Sequence, residues 1–189
     1  TADVAGSYTV RLSDGREIVF EILENHSTVV KSVMLDAGVY SANITYSNPC
    51  YEGVVSNASF SVLKGSNVVT VSVDNITYGG CAVVNVTASV DGIYTVDING
   101  SIVLVNVTGG KGSNMTEMLS VVGEYFANVT WGDSNYDVTV TNATFNVNKA
   151  LNNIKVEVGS VTYPNNVTVN VTADVAGSYT VRLSDGREI

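Results

Sequence analysis

Residues 67–101, NVVTVSVDNITYGGCAVVNVTASVDGIYTVDINGS, decide the fold that this chain is expected to adopt. Apolar and small polar side chains alternate along the stretch, so that Val84 and Val86 fall on one face and the residues between them on the other. A period of two residues is typical of β-strands with one buried and one solvated face. Asn99-Gly100 near its end suits the positive φ angles of a tight hairpin turn. The stretch therefore predicts antiparallel strands, and no segment of the chain has a sustained helical period.

The same pattern returns elsewhere in the chain. Residues 152–187 align with 67–101, and GEYFANVTWG (123–132) aligns with GVYSANITYS (38–47), an offset of 85 residues from 38 to 123. A second repeat is exact, because TADVAGSYTVRLSDGREI occupies the first eighteen and the last eighteen positions, an offset of 171 residues from 1 to 172. Identical end segments are expected where one period and an overlap are taken from a tandem array.

The two repeats together divide each period into two alternating domains, which we name domain A and domain B. Domain B is predicted to be complete at 67–151. Residues 1–66 are predicted to be a domain A without its first strands, and 152–189 the first strands of the next copy of domain A. The strands predicted for domain B are 67–74, 82–88, 92–98, 101–107, 113–120, 123–131 and 136–147. About seven short strands at this spacing predict an all-β chain of tandem antiparallel β-sandwiches.

A Tyr follows a Gly at the start of the sixth predicted strand of each domain. The two segments are Gly38-Val39-Tyr40 and Gly123-Glu124-Tyr125. This placement is similar to the tyrosine corner of immunoglobulin-like domains, in which the Tyr hydroxyl bonds to the backbone a few residues upstream. The alternative is that Tyr40 and Tyr125 are ordinary aromatic side chains of the core.

The motifs ITYG, VNVT, GxYTV, NG, GxYxANVTW and NATFxVNK resemble the tandem immunoglobulin-like repeats of adhesin-like surface proteins, which are most abundant in methanogenic archaea. The resemblance covers both domains over their whole length. It implies immunoglobulin-like sandwiches in a long secreted chain that is anchored in the cell wall and holds something away from the cell. The expected location is therefore extracellular, at the cell surface. The resemblance implies no catalytic site.

Charge and motifs exclude several classes of function. The formal net charge is −9 and the nine basic residues are scattered, whereas nucleic-acid binding would require a basic stripe. No apolar run approaches the roughly 20 residues that a membrane helix needs. The only histidine, His26, lies in a polar turn, and no hydrolase, nucleotide-binding or calcium-loop motif occurs. We therefore expect no enzyme, no cofactor and no metal site.

The function expected first is that of a structural repeat unit in an extracellular filament or adhesin stalk. Its partners would be neighbouring repeats joined end to end, with lateral contacts between filaments or a host-surface ligand as further partners. The alternative is an adhesion module that binds carbohydrate or protein through loops at one pole, although only SNPCYE (47–52) is an unusual loop. Two arrangements of the repeats stay open, namely one very long chain or separate subunits in which an end segment completes a neighbour's sandwich.

Asn-x-Ser/Thr sequons are frequent along the predicted strands. A strand that alternates Asn, Val and Thr creates such triplets without any selection for glycans, yet it also places the Asn on the outward face. We predict that several of them carry glycans. The candidates are Asn25, Asn43, Asn57, Asn75, Asn85, Asn99, Asn106, Asn114, Asn128, Asn142, Asn166 and Asn170.

The two cysteines occur in different domains. Cys50 lies in domain A, where domain B has Asn135, and Cys81 lies in domain B, where domain A has Asn166. They therefore cannot pair inside one sandwich. In an immunoglobulin-like sandwich the loop with Cys50 lies at the N-terminal pole and the loop with Cys81 at the C-terminal pole. We predict a disulfide between Cys81 and the Cys50 of the following repeat, with two free thiols as the alternative.

Overall fold

The computed structural model describes all 189 residues and contains fifteen strands and no helix. No segment therefore forms an apolar helix of membrane-spanning length. The expectation of an all-β chain is confirmed. The strands are β1 (Gly6–Leu12), β2 (Glu17–Ile22), β3 (Gly38–Thr45), β4 (Ala58–Val62), β5 (Gly65–Val73), β6 (Ile76–Thr77), β7 (Val83–Ala88), β8 (Gly92–Ile98), β9 (Ser101–Val107), β10 (Lys111–Met115), β11 (Gly123–Thr130), β12 (Tyr136–Thr141), β13 (Ala143–Asn148), β14 (Ile154–Val158) and β15 (Val169–Ala173).

The first four strands form one antiparallel sheet in the order β2-β1-β3-β4. A hairpin joins β1 to β2 through a turn at Asp14-Gly15, in which Gly15 has a φ of 91°, a conformation that favours glycine. Aromatic side chains face one another across this sheet, with Tyr8 opposite Phe20 and Tyr40 opposite Phe60. Such cross-strand aromatic pairs stabilise a sheet through side-chain packing.

The middle of the chain forms two sheets that share one core. One sheet has the order β10-β7-β5-β12 and the other β6-β13-β11-β8-β9. The apolar side of each alternating strand faces the other sheet, which removes those side chains from water. The core comprises 17 buried residues, namely Val69, Val71, Ala82, Val84, Val86, Ala88, Tyr94, Val96, Ile98, Val103, Val105, Val107, Leu119, Ala127, Val129, Phe145 and Val147.

The strands at the start and the end of this middle region run side by side and parallel. Strand β5 pairs with β12, beginning with Gly65 opposite Tyr136, and β6 pairs with β13, ending with Thr77 opposite Asn148. The chain consequently enters the two-sheet region at one pole and leaves it at the other. At a rise of roughly 3.3 Å per residue, Tyr136 and Asn148 are at most about 40 Å apart.

The strand boundaries differ from those predicted at two crossings between the sheets. The predicted strand 136–147 is two strands, and residues 67–77 are also divided between the sheets as β5 and β6. An Asn side chain marks each crossing: Asn142 Oδ1 accepts from Val129 N at 3.0 Å, and Asn75 Oδ1 accepts from Asn146 N at 2.7 Å. These side chains satisfy backbone donors that a broken ladder would leave unpaired. The region thus has nine strands where seven were predicted, and the predicted strand 113–120 is the shorter β10 at Lys111–Met115.

The last two strands, β14 and β15, form a separate antiparallel pair in which Val156 lies opposite Val171. Beyond this pair, 177–183 has the same sequence as β1 but does not form a strand. Strand β1 is held between β2 and β3, whereas its copy has no equivalent of β3 beside it. Identical residues therefore take different structures because their neighbours differ.

Candidate functional site

The two tyrosines predicted as corners make the same hydrogen bond. Tyr40 Oη donates to the carbonyl oxygen of Asp36, and Tyr125 Oη donates to that of Val121, both at 3.0 Å. Each bond spans four residues backward and ties the start of β3 or β11 to the loop that precedes it. The rings also stack on the opposite strand, with 5.4 Å between the ring centres of Tyr125 and Phe145.

Three further tyrosines, which the sequence reasoning missed, make the same type of bond. Tyr8 donates to Val4 O at 2.7 Å, Tyr94 donates to Val90 O at 2.6 Å, and Tyr179 donates to the carbonyl of Val175. The signal was present in the sequence, because each of them follows Gly-x as Tyr40 and Tyr125 do. The bond therefore recurs at every Gly-x-Tyr of the chain and is the local device that anchors these strands.

Tyr94 also belongs to a buried polar network. The Nδ2 of the fully buried Asn67 donates to Tyr94 Oη at 2.8 Å, and Asn67 Oδ1 accepts from Ser89 N at 3.1 Å. Asn67 thereby joins the first strand of domain B to β8 across the two sheets. The pair recurs in the C-terminal segment, where Asn152 Nδ2 donates to Tyr179 Oη at 2.8 Å.

The junction between the first sheet and the two-sheet region is held by Asn135. Its Oδ1 accepts from Ala37 N at 2.7 Å, its Nδ2 donates to Asp36 Oδ1 at 3.1 Å, and its carbonyl accepts from Gly65 N at 2.8 Å. Lys64 and Asp137 form an exposed ion pair of 3.5 Å beside it. One side chain thus binds both domains, and sequence reasoning gave it no role beyond being the counterpart of Cys50.

Both cysteines are exposed and unpaired in this single chain. Cys50 N donates to Asn48 Oδ1 at 2.8 Å. The equivalent turn of domain B has the same type of bond, from Asn135 N to Asp133 Oδ1 at 2.8 Å. In domain B that turn lies at the pole where the chain enters.

Cys81 lies at the opposite pole, next to two glycines that bond to Leu119. Gly79 N donates to Leu119 O at 3.1 Å and Leu119 N donates to Gly80 O at 3.0 Å. The two thiols of one chain are therefore at different poles. Their pairing between successive repeats involves a following copy and stays a prediction.

All twelve sequon asparagines are exposed, but they differ in what their side chains contact. Asn85 and Asn128 lie on outward strand faces, and no side-chain hydrogen bond involves them. Asn114 differs, because its Nδ2, the atom that would carry a sugar, donates to Leu104 O at 2.8 Å. The hydroxyl of Thr116 in the same sequon is buried and accepts from Ala82 N at 2.9 Å.

The only histidine of the chain lies beside a carboxylate at the surface. His26 Nδ1 lies 3.3 Å from Asp3 Oδ1, and both side chains are exposed. No group of three or more His, Cys, Asp or Glu side chains is placed to hold a metal ion. The carboxylate of Asp91 accepts hydrogen bonds from Gly109 N at 3.0 Å and Gly110 N at 3.1 Å, and these bonds lower the pKa of Asp91.

The inner face of the first sheet carries apolar side chains that are only partly covered. Phe60 on this sheet is 38% exposed, whereas Phe145, its counterpart at an offset of 85 in domain B, is 1% exposed. Val10, whose counterpart Val96 is fully buried, is only half-buried. The difference arises because β5 and β7 cover this face in domain B.

Comparison with known proteins gives no match, either to a protein-family model or to a curated protein sequence.

Proposed function

We propose that the chain is a structural repeat unit of an extracellular filament or adhesin stalk, built from tandem immunoglobulin-like domains at the cell surface. The proposal rests on one observation, which is that the chain enters domain B at one pole and leaves it at the opposite pole. Gly65 begins at one pole and Asn148 ends at the other, so each domain adds its full length to a chain of domains. A repeating sequence with this geometry suits an extended array.

The strand order supports an immunoglobulin-like reading of domain B. Strands β6, β8, β9, β11 and β13 share one sheet and β5, β7, β10 and β12 share the other, so that the chain crosses between the sheets after every strand except at the β8–β9 hairpin. Such crossings between two packed sheets are typical of immunoglobulin-like sandwiches. The hydroxyl bond of Tyr125 at the start of β11 supports the same reading, because a tyrosine corner lies at this place in such domains. The resemblance in sequence to adhesin-like surface repeats is the third support.

The contacts of Asn135 support a stiff array. They fix the end of domain A against the start of domain B through two side-chain hydrogen bonds, next to the short connection at 63–64. A connection of this length leaves little freedom for hinge motion. Each period of two domains would then advance roughly 70–80 Å, if a domain of seven- to eight-residue strands with its loops is about 35–40 Å long.

Electron microscopy of arrays with two, four and six periods tests this function. We expect straight rods whose length grows by about 70–80 Å with each added period. The matched variant Asn135→Ala removes the side-chain bonds at one junction per period and should increase the bend angle there. Rods whose length does not follow the number of periods would contradict the proposal. Saturable binding of one period on a glycan array would instead favour the adhesion module.

A further inference from the structure

Phe126 is an exposed aromatic side chain in the middle of an outward sheet face. It lies in domain B on β11, the central strand of its sheet, and is 50% exposed. The residues that alternate with it, Ala127 and Val129, face the core and are at most 2% exposed. The core of the domain therefore gives no reason for a phenylalanine at this outward position.

The ring of Phe126 also has no partner on the surface. The chain has four phenylalanines. The rings of Phe60 and Phe145 stack on a tyrosine, and that of Phe20 lies beneath an ammonium group. Phe126 is in neither kind of contact, so its apolar ring is left against water, which is unfavourable.

The next side chain along the same face is Asn128, which begins the sequon Asn128-Val129-Thr130. Residues two apart in a strand point to the same side and lie about 7 Å from one another. The carboxylate opposite Asn128, that of Asp97 on β8, accepts from Gly100 N at 2.6 Å. No hydrogen bond involves the side chain of Asn128, so its Nδ2, the atom that carries the sugar in an N-linked glycan, is free beside an exposed aromatic ring.

A sugar ring suits the surface of Phe126. One side of a pyranose ring presents C–H groups while its hydroxyls lie around the rim, so it covers an apolar side chain without losing the hydration of its polar groups. The face of an aromatic ring is negative and attracts the partly positive C–H groups. Since the sugar is attached to the same strand, the contact costs none of the freedom that a separate ligand would lose.

Domain A provides a natural contrast at the same position. Asn43, the counterpart of Asn128 at an offset of 85, also begins a sequon, but Ser41 stands where domain B has Phe126. Strand β3 forms with this serine, so the strand itself does not require an aromatic residue. A sugar on Asn43 would have no aromatic ring to cover.

We propose that Asn128 carries an N-linked glycan whose first sugar ring covers Phe126. The inference rests on the extracellular location in the proposed function, and it names one modified residue and the side chain that binds the sugar. A glycosyltransferase would supply the glycan from a lipid-linked sugar phosphate. The bond between sugar C1 and the phosphate oxygen breaks, the bond between C1 and Asn128 Nδ2 forms, and one Nδ2 proton is released as the lipid phosphate leaves.

The sugar then contributes to the stability of domain B. In the folded strand the sugar and the ring of Phe126 are held side by side, whereas in the unfolded chain both are free in water. Loss of the sugar from Asn128 should therefore lower the Tm of domain B by about 2–8 °C.

The 189-residue chain, secreted from a eukaryotic host and trimmed to the first N-acetylglucosamine of each glycan, tests the inference. Peptide mapping should find Asn128 occupied. Thermal unfolding followed by the fluorescence of Trp131 should show the lower Tm for Asn128→Gln, which removes this one sugar. In the background of Phe126→Ser, which introduces the residue of domain A, Asn128→Gln should leave Tm unchanged.

Asn85→Gln is the matched control. Asn85 begins the same Asn-Val-Thr triplet on the outward face of the other sheet, where its cross-strand neighbours are Ser72 and Ser113. Its effect on Tm should be the same with and without Phe126. An unoccupied Asn128, or an equal effect of Asn128→Gln in both backgrounds, would overturn the inference.

The sequon at Asn99 is the second one near Phe126, because Asn99 Oδ1 accepts from Phe126 N at 3.0 Å. Ser101→Ala removes this sequon and leaves Asn99 in the turn. A dependence on Phe126 that follows Ser101→Ala instead of Asn128→Gln would show that the wrong asparagine was assigned. Rods from an array without the coupling of Asn128 to Phe126 would reject this inference alone, whereas the coupling without rods would reject only the proposed function.

Discussion

The hydroxyl of Tyr94 gives the sharpest test of how domain B is held together. Tyr94 and Asn67 are both fully buried, and the hydroxyl links Asn67 Nδ2 at 2.8 Å to Val90 O at 2.6 Å. Tyr94→Phe removes one oxygen atom and leaves the ring in place. An amide donor and a carbonyl acceptor then lose their partner inside the core.

A buried group without its partner costs about 1–3 kcal/mol, so Tyr94→Phe should lower the free energy of unfolding of domain B by about 2–3 kcal/mol. For a domain of this size, each kcal/mol shifts Tm by about 4–8 °C. The expected fall in Tm is therefore about 8–24 °C. Tyr125→Phe is the matched control, because its hydroxyl has only the bond to Val121 O on a half-buried side chain. We expect it to cost about 0.5–1.5 kcal/mol.

Urea unfolding followed by tryptophan fluorescence measures both costs. Trp131 is the only tryptophan and its ring stacks on Tyr94 with 5.6 Å between ring centres, so the signal reports domain B. A double-mutant cycle with Asn67→Ala should give a coupling energy of about 0.5–3 kcal/mol. Equal costs for Tyr94→Phe and Tyr125→Phe, or no coupling to Asn67, would show that the network does not stabilise the fold as described.

Four further outcomes are expected. The intact mass of native protein should fall on deglycosylation, and peptide mapping should find Asn114 unmodified because its Nδ2 is bonded; a native mass equal to the bare polypeptide would contradict this. Non-reduced arrays of two periods should contain a Cys81–Cys50 cross-link between successive repeats, and free thiols titrated at that joint would disprove it. Asp91→Asn should lower Tm above about pH 4 and progressively less below it, because the lowered pKa of Asp91 stabilises the fold only while the carboxylate is ionised; an effect that does not depend on pH would argue against this cause. Gly112→Ala should destabilise domain B strongly, since its Cβ would lie 2.2 Å from a backbone oxygen, and an unchanged Tm would count against that contact.

The alternation of valines made the buried faces of most strands in domain B predictable. It did not predict which strands lie next to one another. Val84 and Val86 are buried as the two-residue period predicts. The crossings at Asn75 and Asn142 were missed, because an Asn within an alternating run looks like any other outward residue until its partner strand is known. The copy of β1 at 177–183 shows the same limit, because its local sequence does not determine which strands are available to pair with it.

The buried network of Tyr94 was missed for a related reason. Its Gly-x-Tyr signal is local, but the partner Asn67 lies on the other sheet and only the packing of the two sheets brings them together. The missing first strands of 1–66 were predicted from the repeat. The absence of strands at 26–30 and 51–56, which correspond at an offset of 85 to β10 and β12, depends on pairing that only the structure describes.

The parallel pairing of β5 with β12 has a mechanical consequence. Tension on a chain of domains would pull Gly65 toward one pole and Asn148 toward the other, along the direction of these strands. The six residue pairs from Gly65 opposite Tyr136 to Thr70 opposite Thr141 would then slide past one another in shear. Because the hydrogen bonds of a ladder lie across the strands, such a load strains all of them together and none can be peeled away first. The first and last strands of domain B thus form a clamp against stretching, at the points where the proposed stalk would transmit force.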